Sequence, residues 1–212
     1  GVNTLPKRLA RRYAQGNLLL ANLPTASYPH REKFQPWEAC MTMNRTWAYN
    51  LTDEDYKSSA RLIYSLVEVA SRGGNYLLNV GPMPQGTFPP EAVERLNQIG
   101  AWMDTNGAAI HGTTYGPPLG CDDQGKPLPL EWARTTTRGD TVYLHVFDWP
   151  ENGQLSLNGL NNNIERAYSL LDPEEALTVD RDEAGGFMIG LPAEPPDGIN
   201  SVFVLEITGE PD

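Results

Sequence analysis

The stretch GGNYLLNVGP, residues 73–82, constrains the fold more than any other part of the chain. Residues 76–80 form a nearly unbroken apolar run closed by Gly81-Pro82. A short run of this kind reads as a strand buried on both faces, as strands of parallel sheets are. Helical patterns flank it. Upstream, Leu62, Ile63, Leu66, Val67 and Ala70 recur at helical spacing. Thr52 is the expected start of that helix, with Asp53, Glu54 and Asp55 in a first turn that suits carboxylates, and Gly73-Gly74 is its stop. Downstream, Pro90 stands where a first helical residue belongs. Val93, Leu96, Ile99, Gly100 and Met103 are the expected inner face of this second helix, which ends near Gly107. Another strand is expected over residues 39–43, and a helix fragment over 5–15. Strand, helix, strand, helix at this spacing means α/β structure with parallel strands.

The remainder follows a different pattern. From about residue 113 no helical periodicity survives. Residues 112–129, GTTYGPPLGCDDQGKPLP, have the composition of a linker. Short β-rich runs then appear at 131–137, 141–147, 154–157, 164–171, 177–179, 187–191 and 201–207, each bounded by Gly, Asn, Asp or Pro. That spacing predicts an antiparallel β-sandwich. The expected division is therefore a partial (β/α) unit over 1–113, a linker over 114–130 and an all-β domain over 131–212. Two strand-helix units cannot close a barrel, which takes roughly 200 residues, so the α/β part is expected to be a fragment.

Charge narrows the partners. The formal net charge is -11. Nucleic acid and anionic membranes both call for clustered Lys and Arg, so neither is expected as the partner. No run of 18 apolar residues is present, hence no membrane-spanning helix is expected. The three histidines are scattered and no CxxC or HExxH occurs, so no metal site is expected. Cys40 and Cys121 are expected as buried thiols. Two sequons, at Asn44 and Asn50, are short enough to arise by chance.

Four positions stand out for chemistry. Glu38 lies between Trp37 and the start of a strand. A carboxyl held against an indole loses solvation and has its pKa raised, which suits a general acid; the alternative is a solvated loop residue beside an anchoring Trp. Trp47, with Tyr49, could stack on a sugar ring or serve in packing. The Asn79 amide could read hydroxyls or close a turn. Arg31 could meet an anionic or ring-oxygen group, or pair with Glu32 on the surface. Trp132 and Trp149 are expected to pack in the core of the β-rich part.

The segments PWEACMTMNRTWAYN (36–50) and ARLIYSLVEVASRGGNYLLNVGPMPQGTFPPEAVERLNQIGAWMDTNGAAIHGT (60–113) resemble the C-terminal part of the catalytic domain of α-L-fucosidases, glycoside hydrolase family 29. TVYLHVFDWPENG and SVFVLEI resemble, more loosely, that family's C-terminal β-sandwich. The resemblance implies a (β/α)8-like barrel carrying a sandwich. It implies release of L-fucose from fucosylated oligosaccharides with retention of configuration. That mechanism uses two carboxyl groups about 5 Å apart, one a nucleophile and one an acid that later acts as base, and needs no cofactor. The acid/base position falls on Glu38, with Trp47, Arg31 and Asn79 toward the sugar. The family's nucleophile is an Asp upstream of the WE motif. No Asp precedes Asp53 here, and Glu32 is the other acid upstream of Glu38. A secreted, periplasmic or lysosomal setting is also implied. Competing expectations are a non-catalytic carbohydrate-binding module and a purely structural accessory domain.

Overall fold

The computed structural model describes residues 36–121, 127–130, 132–183 and 185–211. Strand β1 (Glu38–Thr42) pairs in parallel with β2 (Asn75–Asn79), in the register Glu38↔Asn75 through Thr42↔Asn79. Helix α1 (Ser59–Ala70) connects them, and α2 (Pro90–Asn106) follows β2, leading into a short 3-10 turn over Gly107–Ala109. The expected strand-helix-strand-helix order and the parallel pairing are both present. The expected helix over 5–15 lies outside the described residues.

Helix α1 starts later than its acidic run suggested. Ser58 is the N-cap, its hydroxyl accepting from the Arg61 N–H at 3.2 Å. Residues 53–58 are irregular because Asp53 bonds other backbone groups: its carboxylate accepts from the N–H of Arg45 and of Asp55. Asp side chains that bind nearby N–H groups compete with the helix in this way. Helix α2 also turns differently from expectation. Val93 and Leu96 are exposed, as is Gly100; Ala92, Trp102 and Asn106 are buried, with Ile99 and Met103 partly so. The true stripe shares Ile99 and Met103 with the expected one but is rotated toward Ala92, Trp102 and Asn106, and it is masked in the sequence because it ends on a polar Asn.

The rest of the described chain is antiparallel sheet. Six strands form one sheet, in the spatial order β10 (Asp172–Ala176), β9 (Ile164–Ser169), β13 (Ser201–Ile207), β7 (Thr141–Val146), β6 (Ala133–Arg138) and β3 (Thr114–Tyr115). Three more, β11 (Val179–Arg181), β12 (Phe187–Gly190) and β8 (Gln154–Leu157), form a second sheet, and β4 (Leu119–Cys121) pairs with β5 (Pro127–Pro129). Residues 114–130 thus have linker composition but carry three short strands, one of them an edge of the large sheet. Strand β10, DPEEA, is exposed throughout. Acidic residues and a Pro suit an edge strand, because they discourage pairing with another chain.

Strands β7 and β13 occupy the centre of the large sheet and bury both faces. Val142, Leu144, Val146, Phe203, Leu205 and Ile207 share one core with Leu155, Leu157, Phe187 and Ile189 of the three-stranded sheet, and Trp132 and Trp149 pack against its margin. Tyr143, Val202 and Val204 face the other way, onto Ile63 and Val67 of α1 and Trp102 of α2. Between these layers His145 is fully buried. Its Nδ1 lies 3.0 Å from Asn200 Oδ1 and its Nε2 3.3 Å from the Thr136 hydroxyl, which itself donates to the Ala109 carbonyl. Burial, opposed by the Asn200 bond, pushes the imidazole pKa down to about 4. The unfolded chain therefore takes up a proton near pH 6.5 that the folded chain refuses until about 4. Stability is full above pH 6.5 and declines as pH falls through that window, by about 3 kcal/mol at most. We expect the melting temperature to drop between about pH 6.5 and 5, above most carboxylate titrations, and His145→Gln to flatten that slope in a pH series of thermal melts.

Candidate active site

The parallel pair has two unlike faces. Trp37, Ala39 and Met41 point toward α1, where they meet Tyr64, Val69 and Tyr76. Alternation then sends Glu38, Cys40 and Thr42, with Asn75, Leu77 and Asn79 of β2, to the opposite face. Glu38 and Cys40 are exposed there and Leu77 is 49% exposed. Cys40 is a free thiol, not the buried one expected, because its strand is covered only on the α1 side among the described residues. The side chain of Cys121 lies outside the described residues.

The expectation that the Trp37 indole desolvates Glu38 does not hold. Adjacent residues in extended chain point to opposite faces. The indole lies on the helix side, its Nε1 donating to the Arg72 carbonyl at 3.2 Å and its ring flush against Gly74, where a Cβ would overlap it. Glu38 is left solvated at the first residue of β1.

Structure concentrates instead at the C-terminal ends of the two strands. Asn79, the last residue of β2, donates its side-chain amide to the Trp47 carbonyl at 2.7 Å. One of its two amide hydrogens is thereby committed to holding the loop after β1, where reading of a hydroxyl had been expected. Gly81 lets that loop approach: a Cβ there would overlap the Tyr49 nitrogen and the Ala48 carbonyl carbon. Lys57 closes the other side. Its ammonium donates to the carbonyls of Thr42 at 2.6 Å and Asn44 at 3.0 Å, and its own N–H bonds the Met43 carbonyl. Burial, assisted by Arg61 and opposed by Asp55 and Asp53, moves Lys57 below the usual lysine range. Beneath the loop, Asp53 accepts from the Arg45 N–H and the Thr46 hydroxyl. Desolvation opposes ionisation of Asp53, yet bonds from the N–H groups of Asp55, Arg45 and Thr46 and from the Thr46 hydroxyl hold it below the usual carboxylate range. The outcome is a loop pinned through its backbone on both sides, on which Trp47 is 58% exposed.

Trp47 and Asn79 are therefore brought together. Glu38 shares their face but sits at the opposite end of β1, about 13 Å along the strand for four residues at about 3.3 Å each. Arg31 lies outside the described residues. Sequence reasoning missed Lys57 and Gly81. Nothing in a lone lysine before a helix cap announces a bond to a strand end, whereas Gly81-Pro82 after a strand did mark a turn.

Residues 12–108 match the family model described as Alpha-L-fucosidase. The chain is 30% identical over 200 residues to tissue alpha-L-fucosidase of Homo sapiens, covering 86% of this chain and 40% of that protein. It is 31% identical over 188 residues to alpha-L-fucosidase of Dictyostelium discoideum, covering 85% and 40%. Among solved structures it matches alpha-L-fucosidase isoenzyme 1 from Paenibacillus thiaminolyticus with a TM-score of 0.72 at 32% identity, over 87% of this chain and 43% of that one. The chain belongs to the alpha-L-fucosidase family. It spans 40% of the length of these curated relatives. A GH29 alpha-L-fucosidase from Bacteroides thetaiotaomicron, captured as a covalent intermediate with 2-fluoro-fucosyl fluoride, matches with a TM-score of 0.72 at 27% identity, over 88% of this chain and 41% of that one.

Family membership ties the resemblance carried by residues 36–50 and 60–113 to the strands and loop just described. The loop clamp has a direct test. Gly81→Ala forces a Cβ into the Ala48–Tyr49 backbone, an overpacking of about 1–3 kcal/mol. We expect a lowered melting temperature and faster proteolysis within 44–50, read by thermal melt and limited digestion against the wild-type chain.

Proposed function

We propose that this chain is the sugar-handling C-terminal portion of a retaining α-L-fucosidase acting on fucosylated oligosaccharides. In this reading β1, α1, β2 and α2 are units of a (β/α)8-like barrel and the antiparallel sheets form its accompanying β-sandwich, with the division 1–113, 114–130 and 131–212. The observation that carries it is the loop at the C-terminal ends of two parallel strands. Barrel enzymes build their active sites at that end. Here that loop carries the exposed Trp47, its backbone held by Asn79, Gly81 and Lys57. An indole face packs on the apolar face of a pyranose, and the remaining hydrogen of the Asn79 amide is left to meet a hydroxyl.

Glu38 is the proposed acid/base. It would protonate the glycosidic oxygen as the bond to fucose breaks, then take a proton from the water that attacks the fucosyl-enzyme. The family resemblance supports that role, and so does its orientation on the face away from α1. The nucleophile is proposed to be a carboxylate outside these residues, since no Asp precedes Asp53. A second reading is favoured by one observation: Glu38 opens its strand, about 13 Å from the end where Trp47 stands. In that reading Glu38 is a strand-end residue and the acid comes from elsewhere in a longer protein. The Bacteroides thetaiotaomicron intermediate was trapped with a glutamate-to-glutamine mutant, and the same type of substitution at Glu38 discriminates between the two readings.

We expect residues 1–212 alone to give no turnover of an aryl α-L-fucoside. In an assembly that supplies the missing strands, Glu38→Gln is expected to lower kcat about 10²- to 10⁴-fold for a poor leaving group, and much less for an activated one. Turnover by the chain alone, abolished by Glu38→Gln, refutes the missing nucleophile. Unchanged activity in Glu38→Gln hands the acid role to another residue.

A further inference from the structure

We infer that Arg134, on the large antiparallel sheet, is a positioning residue for the site-bearing strand β1, acting through the buried carboxylate of Glu68 and the hydroxyl of Tyr64. The inference rests on the reading that the outer face and far end of β1 handle the sugar.

The seam between α1 and β6 holds a closed set of charges. Glu68, on α1, is 3% exposed at its side chain. Arg134 Nε bonds its Oε2, and Arg72 bonds its Oε1 through Nε at 2.8 Å and through Nη2. Arg134 is bonded through its other two nitrogens as well: Nη1 donates at 2.7 Å to the carbonyls of both Leu130 and Ala133, and Nη2 donates at 3.2 Å to the Tyr64 hydroxyl. Desolvation is the largest influence and opposes the charge on Arg134, but the charge and bond of Glu68 together with Tyr64 hold the guanidinium above its usual range. Burial, chiefly, pushes Tyr64 up to about 12, so it stays a neutral phenol.

Two routes lead from this set to β1. Tyr64 packs in the cluster with Ala39 and Met41, the inward residues of β1, and edge-on to Phe147 with ring centroids 4.9 Å apart. Arg72, fixed by Glu68, accepts the Trp37 indole N–H on its carbonyl. Strand β1 has one hydrogen-bonded neighbour among the described residues, β2. Its depth and tilt are consequently set from behind, by side chains whose own positions depend on Arg134. A buried carboxylate between two guanidiniums tolerates few geometries, which is how such groups enforce a unique arrangement.

The test is amide hydrogen exchange on the 212-residue chain without sugar, comparing wild type with Arg134→Lys, Arg134→Gln and Tyr64→Phe, each also melted thermally. Exchange in residues 39–42 is expected to rise about tenfold in Arg134→Gln. Residues 143–146 and 202–205 should keep their protection. Arg134→Lys keeps the charge but not the fork, and should recover part of the protection of β1. If Arg134→Gln fails to fold, Tyr64→Phe decides. It removes one hydroxyl, leaves the carboxylate paired, and should loosen β1 selectively by a smaller factor. Unchanged exchange in β1, or an equal rise in β7 and β13, overturns the inference. Because no sugar is involved, the proposed role of Glu38 and the role of Arg134 can fail independently.

Discussion

Double burial of β7 and β13 governs everything else in this chain. A sheet whose central strands face an apolar layer on each side must carry hydrophobic residues at consecutive positions, and Ser201–Ile207 does so almost without interruption. One face accepts the three-stranded sheet, the other accepts α1 and α2. The helices that flank the parallel pair are thereby parts of a core shared with the antiparallel sheet. This explains why a β1–β2 pair too small to be stable by itself is ordered here. Two strands make a marginal sheet, but α1 anchors them to a surface already fixed by the buried side chains between the two antiparallel layers.

The seam between the layers is not purely apolar, and its polar members divide by chemistry. His145, Thr136 and Asn200 form a set in which both imidazole nitrogens face oxygen atoms, Asn200 Oδ1 and the Thr136 hydroxyl, while burial holds the ring uncharged. Glu68, Arg72 and Arg134 form a charged set in which one carboxylate faces two guanidiniums. Such a group contributes little net stability over an apolar replacement, yet removing one partner strands a buried charge at a cost of about 3–5 kcal/mol. The first set makes the packing of α1 and α2 sensitive to acid. The second makes it sensitive to geometry. Both sit on the far side of β1 from the candidate site, so whatever they fix, the site inherits.

Much of this was legible in the sequence, for identifiable reasons. Apolar runs bounded by Gly and Pro located nine of the strands to within a residue or two, which is about as far as the ends of such elements fray, but they missed β3, β4 and β5 in the expected linker and the acidic edge strand β10. Pro90 marked its helix because a missing N–H is harmless only there. The failures came where a polar side chain changed partner. Asp53 looked like a first-turn carboxylate and instead bound loop N–H groups, delaying α1 to Ser59. Asn106 concealed the inner stripe of α2. Trp37 and Glu38, adjacent in sequence, were read as contacts when extended geometry separates them. Lys57 gave no signal, because its bonds to Thr42 and Asn44 span 15 and 13 residues.

The distribution of chemistry along β1 follows from strand polarity. In a parallel pair every strand carries its chain onward from the same end, so both outgoing loops gather there, and the contacts among Trp47, Asn79, Gly81 and Lys57 are the result. A residue at the incoming end shares the face but not the loops. It reaches a ligand only if the ligand lies along the strand, against Cys40, Thr42 and Leu77. Leu77, apolar and half exposed in the middle of that face, is the surface such a ligand or a covering strand would have to meet. The side chains between Glu38 and the loop-bearing end of the face are small or short at Cys40 and Thr42. In the proposed reading, whether the carboxyl at one end and the Trp at the other meet one ligand or two is therefore set by what packs over Leu77, not by β1 itself.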